Sequence, residues 1–315
     1  MQQRRGSRLR LRLVVAVLPA LALTTVAACS TPGGSSEPGT RERPTATTTL
    51  PVPPSARPSA RPSAKPAAKP TSRPTRTAPP HLDTWRVGAH PLPLRPDGFG
   101  RVLPTPAQLR VRRLPTADLL PAPRDGRFHA TVGPVTPAIR RRMGTTWSPG
   151  CPVPLSGLRD LRLTFRGFDG HAHTGELVVS ATVADGVVGV FRRLYAAAYP
   201  IEEMRLPTTA DLDAPPTGDG NNTAAYVCRF TRGTTTLSAH AYGLAIDVNP
   251  FLNPYRRGDL VLPELAGAYL DRSWRRPGMI LRGGVVTRAF ARAGWTWGGD
   301  FTSLSDLMHF SADGR

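Results

Sequence analysis

Apolar and polar positions follow two rhythms along the C-terminal part of the chain. Residues 161–165 and 177–183 are short runs rich in branched and aromatic side chains, the composition of strands. Val187, Val188, Phe191, Leu194 and Tyr195 then recur at helical spacing, which predicts a helix of about three turns. A second helix is expected over 285–293, where Val286, Phe290 and Ala293 share a face. Residues 224–230, 244–248 and 307–310 read as further short strands. The pattern is that of an α+β domain with a small antiparallel sheet and flanking helices.

The N-terminal quarter has a different texture. Arg4, Arg5, Arg8, Arg10 and Arg12 precede an apolar run over 13–28 that ends in small residues, the layout of a secretory signal spanning 1–28. The run is short for a membrane-spanning helix, although an uncleaved signal anchor is the alternative. Val26-Ala27-Ala28-Cys29 resembles the lipobox of bacterial lipoproteins, which implies lipidation of Cys29; plain secretion with an incidental cysteine is the other reading. Residues 29–80 are dominated by Pro, Ser, Thr, Ala and Arg, with repeats such as Ser55-Ala56-Arg57-Pro58. Such a stretch cannot bury enough surface to offset its ordering entropy, so a disordered tether is expected. Residues 81–144 are proline-rich and read as an extended lead-in packed on the main domain, which is expected over 145–315.

The net charge of +19 is unevenly spread. The signal carries five of those charges and the tether six, so eight remain for the rest. In an exported protein on the outer face of the cytoplasmic membrane, the polyanions within reach are lipid and acidic wall polymers; a nucleic-acid partner is not expected. A merely solvated basic surface fits the composition equally well. Of the three cysteines, Cys151 and Cys228 remain after Cys29. An even pair in an oxidising compartment suggests a disulfide, with two buried thiols as the alternative; no CxxC spacing favours a metal role for them.

The candidate chemistry is concentrated in two short stretches. Ser238-Ala239-His240-Ala241-Tyr242-Gly243-Leu244-Ala245-Ile246-Asp247 puts an imidazole before a turn that Gly243 permits, and a carboxylate inside an apolar run. A buried charge there is costly unless a metal or partner compensates it. Asp306-Leu307-Met308-His309-Phe310 repeats the theme near the C-terminus. Ser-x-His-x-x-Gly-x-Ala-x-Asp followed by Asp-x-x-His resembles the zinc D-alanyl-D-alanine carboxypeptidases and dipeptidases, and the L-alanyl-D-glutamate endopeptidases of phage lysins. Asn249-Pro250 after the first motif, and Gly294-Trp295-Thr296-Trp297-Gly298-Gly299-Asp300 before the second, extend the likeness over about residues 145–310.

The resemblance implies one zinc ion per chain, held by His240, Asp247 and His309 with a fourth position left for water. It implies Asp306 as general base, and Arg229 as the arginine that meets a substrate carboxylate or carbonyl, alongside Ser238 and Tyr242 as substrate-binding positions. Arg229 as an ordinary ion-pair partner stays open. His171-Ala172-His173 looks like a metal pair, but it follows an Asp-Gly turn and lacks a nearby third ligand, so a structural or rim role is expected. Trp295 and Trp297 are expected in the core and cleft wall. The expected activity is therefore hydrolysis of peptidoglycan stem peptides, as D-alanyl-D-alanine carboxypeptidase or L-Ala-D-Glu-type endopeptidase. An inactive wall-binding lipoprotein that keeps the fold, or a structural zinc domain with a regulatory partner, are the competing classes.

Overall fold

A computed structural model describes residues 85–231 and 234–314, all within the second of two units of the chain, which spans 74–315. The signal over 1–28, Cys29 and most of the tether over 29–80 belong to the first part of the sequence, and all of these lie outside the described residues. No helix among the described residues is long and apolar enough to cross a membrane.

The largest sheet is an antiparallel meander of β1 (Ala130–Pro134), β2 (Leu158–Arg166) and β3 (Ala172–Ser180), with β2 in the middle. Leu161, Leu163 and Phe165 alternate inward from β2, as a period of two requires. Between β1 and β2 lies helix α1 (Pro137–Met143), capped by Thr136, whose side chain accepts from the Ile139 amide. Helix α2 (Ala184–Ala196) follows β3 and turns Ala184, Val187, Val190, Phe191 and Leu194 onto β2. Burying each of the larger side chains contributes roughly 1.5–3 kcal/mol. The expected strand over 177–183 ends earlier, at Ser180, because the Val183 amide bonds back to the Ser180 carbonyl in the turn that starts α2.

The rest of the regular structure comes in small pieces. Strands β4 (Glu203–Met204) and β5 (Asn222–Thr223) form a parallel pair flanking a short helix, α3 (Thr209–Asp213). Strands β6 (Ala245–Asp247), β7 (Tyr255–Arg257) and β8 (Leu260–Leu262) follow. Helix α4 (Val285–Ala291) packs on α2, and β9 (Thr296–Trp297), β10 (Ser305–Asp306) and β11 (His309–Ser311) complete the chain. The order β6-β11-β9 makes one antiparallel sheet and β10-β7-β8 another. The architecture is thus α+β, with three small antiparallel sheets among the described residues where the patterning suggests one.

The expected strand over 224–230 does not form. Its backbone groups are divided among unrelated partners: the Ala224 amide bonds to Asp247, Tyr226 to Val178, Val227 to His240 and Cys228 to Thr146. Cys228 is also bonded to Cys151, with Cα atoms 6.0 Å apart and a sequence separation of 77. Closing so long a loop stabilises by roughly 4–5 kcal/mol on the chain-entropy model.

Residues 85–128 hold little regular structure and are fastened at points. The Trp85 indole donates to Asp219, and the Leu92 amide to the Pro216 carbonyl. Arg112 is fully buried, forking onto both oxygens of Glu202 at 2.6 and 2.7 Å and donating to the Asp219 carbonyl. Glu202 also accepts from Asn221, and its amide donates to Asn249 Oδ1. Nothing in the local hydrophobic pattern announces the contacts of Trp85, Leu92 and Arg112, since each spans from about ninety to more than a hundred residues of sequence.

Candidate metal centre

Three separate elements bring the two motifs together. His240 sits in a 3₁₀ turn, Ala239–Tyr242, that Ser238 caps by accepting from the His240 amide. The turn ends at Gly243 with φ +67, and a Cβ there would lie 2.4 Å from the Ser180 amide nitrogen. Gly243 therefore serves twice, permitting the left-handed turn and letting β3 approach closely. The Ser180 amide closes that contact on the Gly243 carbonyl at 2.9 Å.

Asp247 and His309 face each other across the β6–β11 pair. Directly opposed residues of antiparallel strands project from the same face, so the register itself sets the two side chains side by side. Their neighbours Ile246 and Phe310 point the other way and are fully buried; Phe310 stacks on Phe290 at 3.9 Å between ring centroids. One alternation thus builds core on one side and a polar centre on the other.

The Asp247 carboxylate lies between the two imidazoles, Oδ2 at 3.3 Å from His240 Nε2 and Oδ1 at 3.0 Å from His309 Nδ1. The other nitrogen of His240, Nδ1, is 2.5 Å from the Ala225 carbonyl. A carbonyl can only accept, so Nδ1 carries the proton and Nε2 presents its lone pair to the centre. One donor atom from each of the three residues lies within 4.8 Å of the others, and among the described residues no other such group of three converges. Two ligands about 2.0–2.2 Å from a tetrahedral ion stand roughly 3.3 Å apart, so the observed separations fit a small divalent cation. Burial works to raise Asp247, but His240 and then His309 outweigh it and hold the carboxyl well below the usual carboxylate range. Asp247 is ionised, as a ligand must be.

Asp306 lies on β10, paired with Tyr255. Its Oδ1 is buried with no hydrogen-bond partner among the described residues. Burial, then the charge of Asp247, pushes its carboxyl up to about 7 against the pull of His309 and Arg229. An orphaned acidic oxygen beside three convergent donors is costly unless something polar meets it. Gly298 makes room for this strand, since a Cβ there would come within 2.5 Å of the Asp306 carbonyl oxygen. At Gly299 a Cβ would strike the Trp297 ring at 2.4 Å. The paired glycines of the Trp-Gly-Gly-Asp stretch are thus a packing requirement. Trp297 is buried and donates its indole N–H to the Leu307 carbonyl at 2.9 Å, pinning the chain between Asp306 and His309.

The other predicted positions are spread around this centre. Arg229 is exposed, one residue beyond the disulfide, and its charge acts on Asp306. Ser238 spends its hydroxyl on the turn, and Tyr242 is half-buried at the turn's end. His173 is buried between two carboxylates, Nδ1 at 2.8 Å from Asp118 and Nε2 at 3.2 Å from Asp169. It is an interior fastening, as expected for the His-Ala-His stretch. The reading of residue types missed the Ala225 carbonyl and Phe301, whose ring centroid lies 6.4 Å from that of His309. A backbone acceptor has no sequence signal; Phe301, in the segment between the paired glycines and Asp306, could have been flagged by its position alone.

No curated protein and no solved structure matches the chain. The model of a peptidase family described as D-alanyl-D-alanine carboxypeptidase matches residues 232–312, so the segment that resembles this family is the one that contains His240, Asp247, Asp306 and His309.

Proposed function

We propose that this chain is a zinc-dependent peptidase that hydrolyses peptidoglycan peptides, as a D-alanyl-D-alanine carboxypeptidase or an L-Ala-D-Glu-type endopeptidase. The observation that carries this reading is the convergence of His240, Asp247 and His309 beside the orphaned Asp306 oxygen, inside the segment matched by the peptidase family. The three residues would hold the ion through His240 Nε2, an Asp247 oxygen and His309 Nδ1. A bound zinc polarises a carbonyl and lowers the pKa of a water toward 7.

The chain's own residues supply the rest. Asp306 accepts a proton from the attacking water as the new C–O bond forms, then delivers it to the amine nitrogen as the C–N bond breaks. Its raised affinity for protons suits it to carry one between the two steps. The Arg229 guanidinium, exposed to solvent and acting on Asp306, would receive a substrate carboxylate or carbonyl. Export and lipid anchoring through Cys29 belong to the same proposal, which sets the peptidase among stem peptides and anionic wall polymers.

The test is direct. The purified protein should hold about one zinc per chain and release defined products from muropeptides, identified by mass. Retention of zinc by the His240→Ala, His309→Ala double variant would sink the ligand assignment. Zinc-loaded protein that captures wall fragments and cleaves none would establish an inactive binder instead.

A further inference from the structure

A cleft of about 380 Å³ lies between the proline-rich lead-in and the segment that follows β8. Trp274, Arg110 and Asp271 line it, with the backbone of Gly267 and Ala268. Trp274 is 43% exposed, while most of the protein's other tryptophans are buried or half-buried against the core. Its orientation is set from below by Arg276, which is itself buried. That guanidinium lies 4.0 Å from the Trp274 ring centroid and 3.7 Å from that of Tyr269, so it is held between two aromatic faces. It also donates to the Arg110 carbonyl at 2.8 Å and the Ala268 carbonyl at 2.7 Å. One buried arginine therefore joins both walls of the cleft and presents the indole at its mouth.

The rim carries both signs of charge. The Asp271 carboxylate accepts from the Ser273 amide and hydroxyl, and these donors hold its carboxyl below the ordinary value. Arg110 stands on the opposite wall. An anionic ligand would meet Asp271 and a cationic one Arg110, and a wholly apolar one would strip water from both. A pyranose avoids all three conflicts. Its C–H face covers an aromatic ring, and its peripheral hydroxyls donate to carboxylates and accept from guanidinium groups. The cleft is open to solvent, so a chain of sugars can pass through it.

We propose that this cleft binds a saccharide chain; on the reading given above, on which this point rests, that chain is the glycan to which the stem peptides are attached. The two sites share one frame. Arg272, adjacent to the cleft, donates to the carbonyls of Leu252, Tyr269 and Ile280 and to Asn253 Oδ1, and Asn253 in turn donates to the Val248 carbonyl, immediately after Asp247. Sugar held at Trp274 therefore stands at a set offset from the metal centre.

Titration calorimetry with a tetramer of β-1,4-linked N-acetylglucosamine tests the proposal without requiring catalysis. The parent chain should bind it, Trp274→Ala should weaken binding about tenfold, and Trp274→Phe should retain most of it. The His240→Ala, His309→Ala variant should bind the tetramer as the parent does, which separates failure of this site from failure of the peptidase reading. Absence of saturable binding to the parent, or equal affinity in parent and Trp274→Ala, overturns the proposal. Trp274→Phe guards against a fold defect in the alanine variant. Tighter binding of a glycan-free apolar peptide than of the sugar overturns it as well.

Discussion

Asp160 with Glu176 on β2 and β3, and Asp306 with Asp247 beside the β6–β11 pair, are two versions of one electrostatic arrangement. In each, a carboxylate with close partners stands near a second whose Oδ1 is buried and has no hydrogen-bond partner among the described residues. In each, burial and then the neighbouring carboxylate push that second group up to about 7. The difference lies in the partners. Glu176 receives the fork of Arg142, both bonds at 2.6 Å, whereas Asp247 receives two imidazoles. A guanidinium is permanently protonated and can only donate; a neutral imidazole offers a lone pair. A perturbed carboxyl alone therefore does not mark a functional centre here, and the identity of the groups around it does.

The sharpest way to break this comparison is to remove the same oxygen from both. Asp306→Asn should cut hydrolysis of muropeptides by about 10²–10⁴-fold, while Asp160→Asn leaves it within about twofold. Equal losses in kcat/KM would show that the two acids differ less than their surroundings imply.

Metal response comes next in size. Zinc at about a thousand times its Kd should raise the unfolding free energy of the parent by about 4 kcal/mol. The increment should vanish in His240→Ala and persist in Arg142→Met, as read from urea melts with and without the ion. A zinc response that survives in His240→Ala would move the ligand site elsewhere.

Removing the arginine from the other pair should cost stability with no catalytic change. Arg142→Met leaves Glu176 and Asp160 buried together, at an expected loss of about 2–3 kcal/mol, less than for a fully buried pair because Arg142 is half exposed to solvent. An unchanged denaturation midpoint would mean that water already screens the cluster.

The smallest effect is one of pH. Asp160 is raised in the folded chain from its ordinary 3.8 to about 7, so its contribution to stability is whole below about pH 4 and lost as pH rises through 7. Relative to the parent, Asp160→Asn should gain about 1–3 kcal/mol of stability between pH 5 and pH 8. Parallel stability curves for the two proteins would refute the raised value.

Much of this contrast was legible in the sequence, for reasons that vary by element. Helix α2 was readable because Val187, Phe191 and Leu194 bury one face, so the periodicity and the packing coincide. His240, Asp247 and His309 were readable because charged or polar groups stood in apolar runs at a recognised spacing, and the strand register brings them together. Asp160, just before the run 161–165, carries no such signal. Its burial depends on Glu176 across the hairpin and on Arg142 from α1, which no local window contains. The stretch 224–230 misled because its apolar composition is that of a strand, although Ala225 is needed for the His240 ring and Cys228 for the disulfide. The point fastenings of residues 85–128 and the cleft at Trp274 were likewise invisible, being set by contacts distant in sequence.

The fastening of the lead-in also has a mechanical meaning. A pull entering from the N-terminal side of Trp85 is carried first by the Trp85 indole and the Gly88 amide on Asp219, next by Leu92 on Pro216 and Arg95 on Asp259, then by Gly100 on Glu264 and Thr105 on Leu265, before it reaches Arg112 on Glu202. These attachments lie one after another along the chain, so the outer ones should yield first and lengthen the chain before the load reaches the strands that carry His309 and Asp247. Arg112 is the stop in this series. Drawing it out would strand the buried Glu202 carboxylate, whose own amide holds the Asn249 side chain two residues beyond Asp247. Under tension the domain should therefore give slack in small steps, and the metal centre should feel the load only when that last anchor goes.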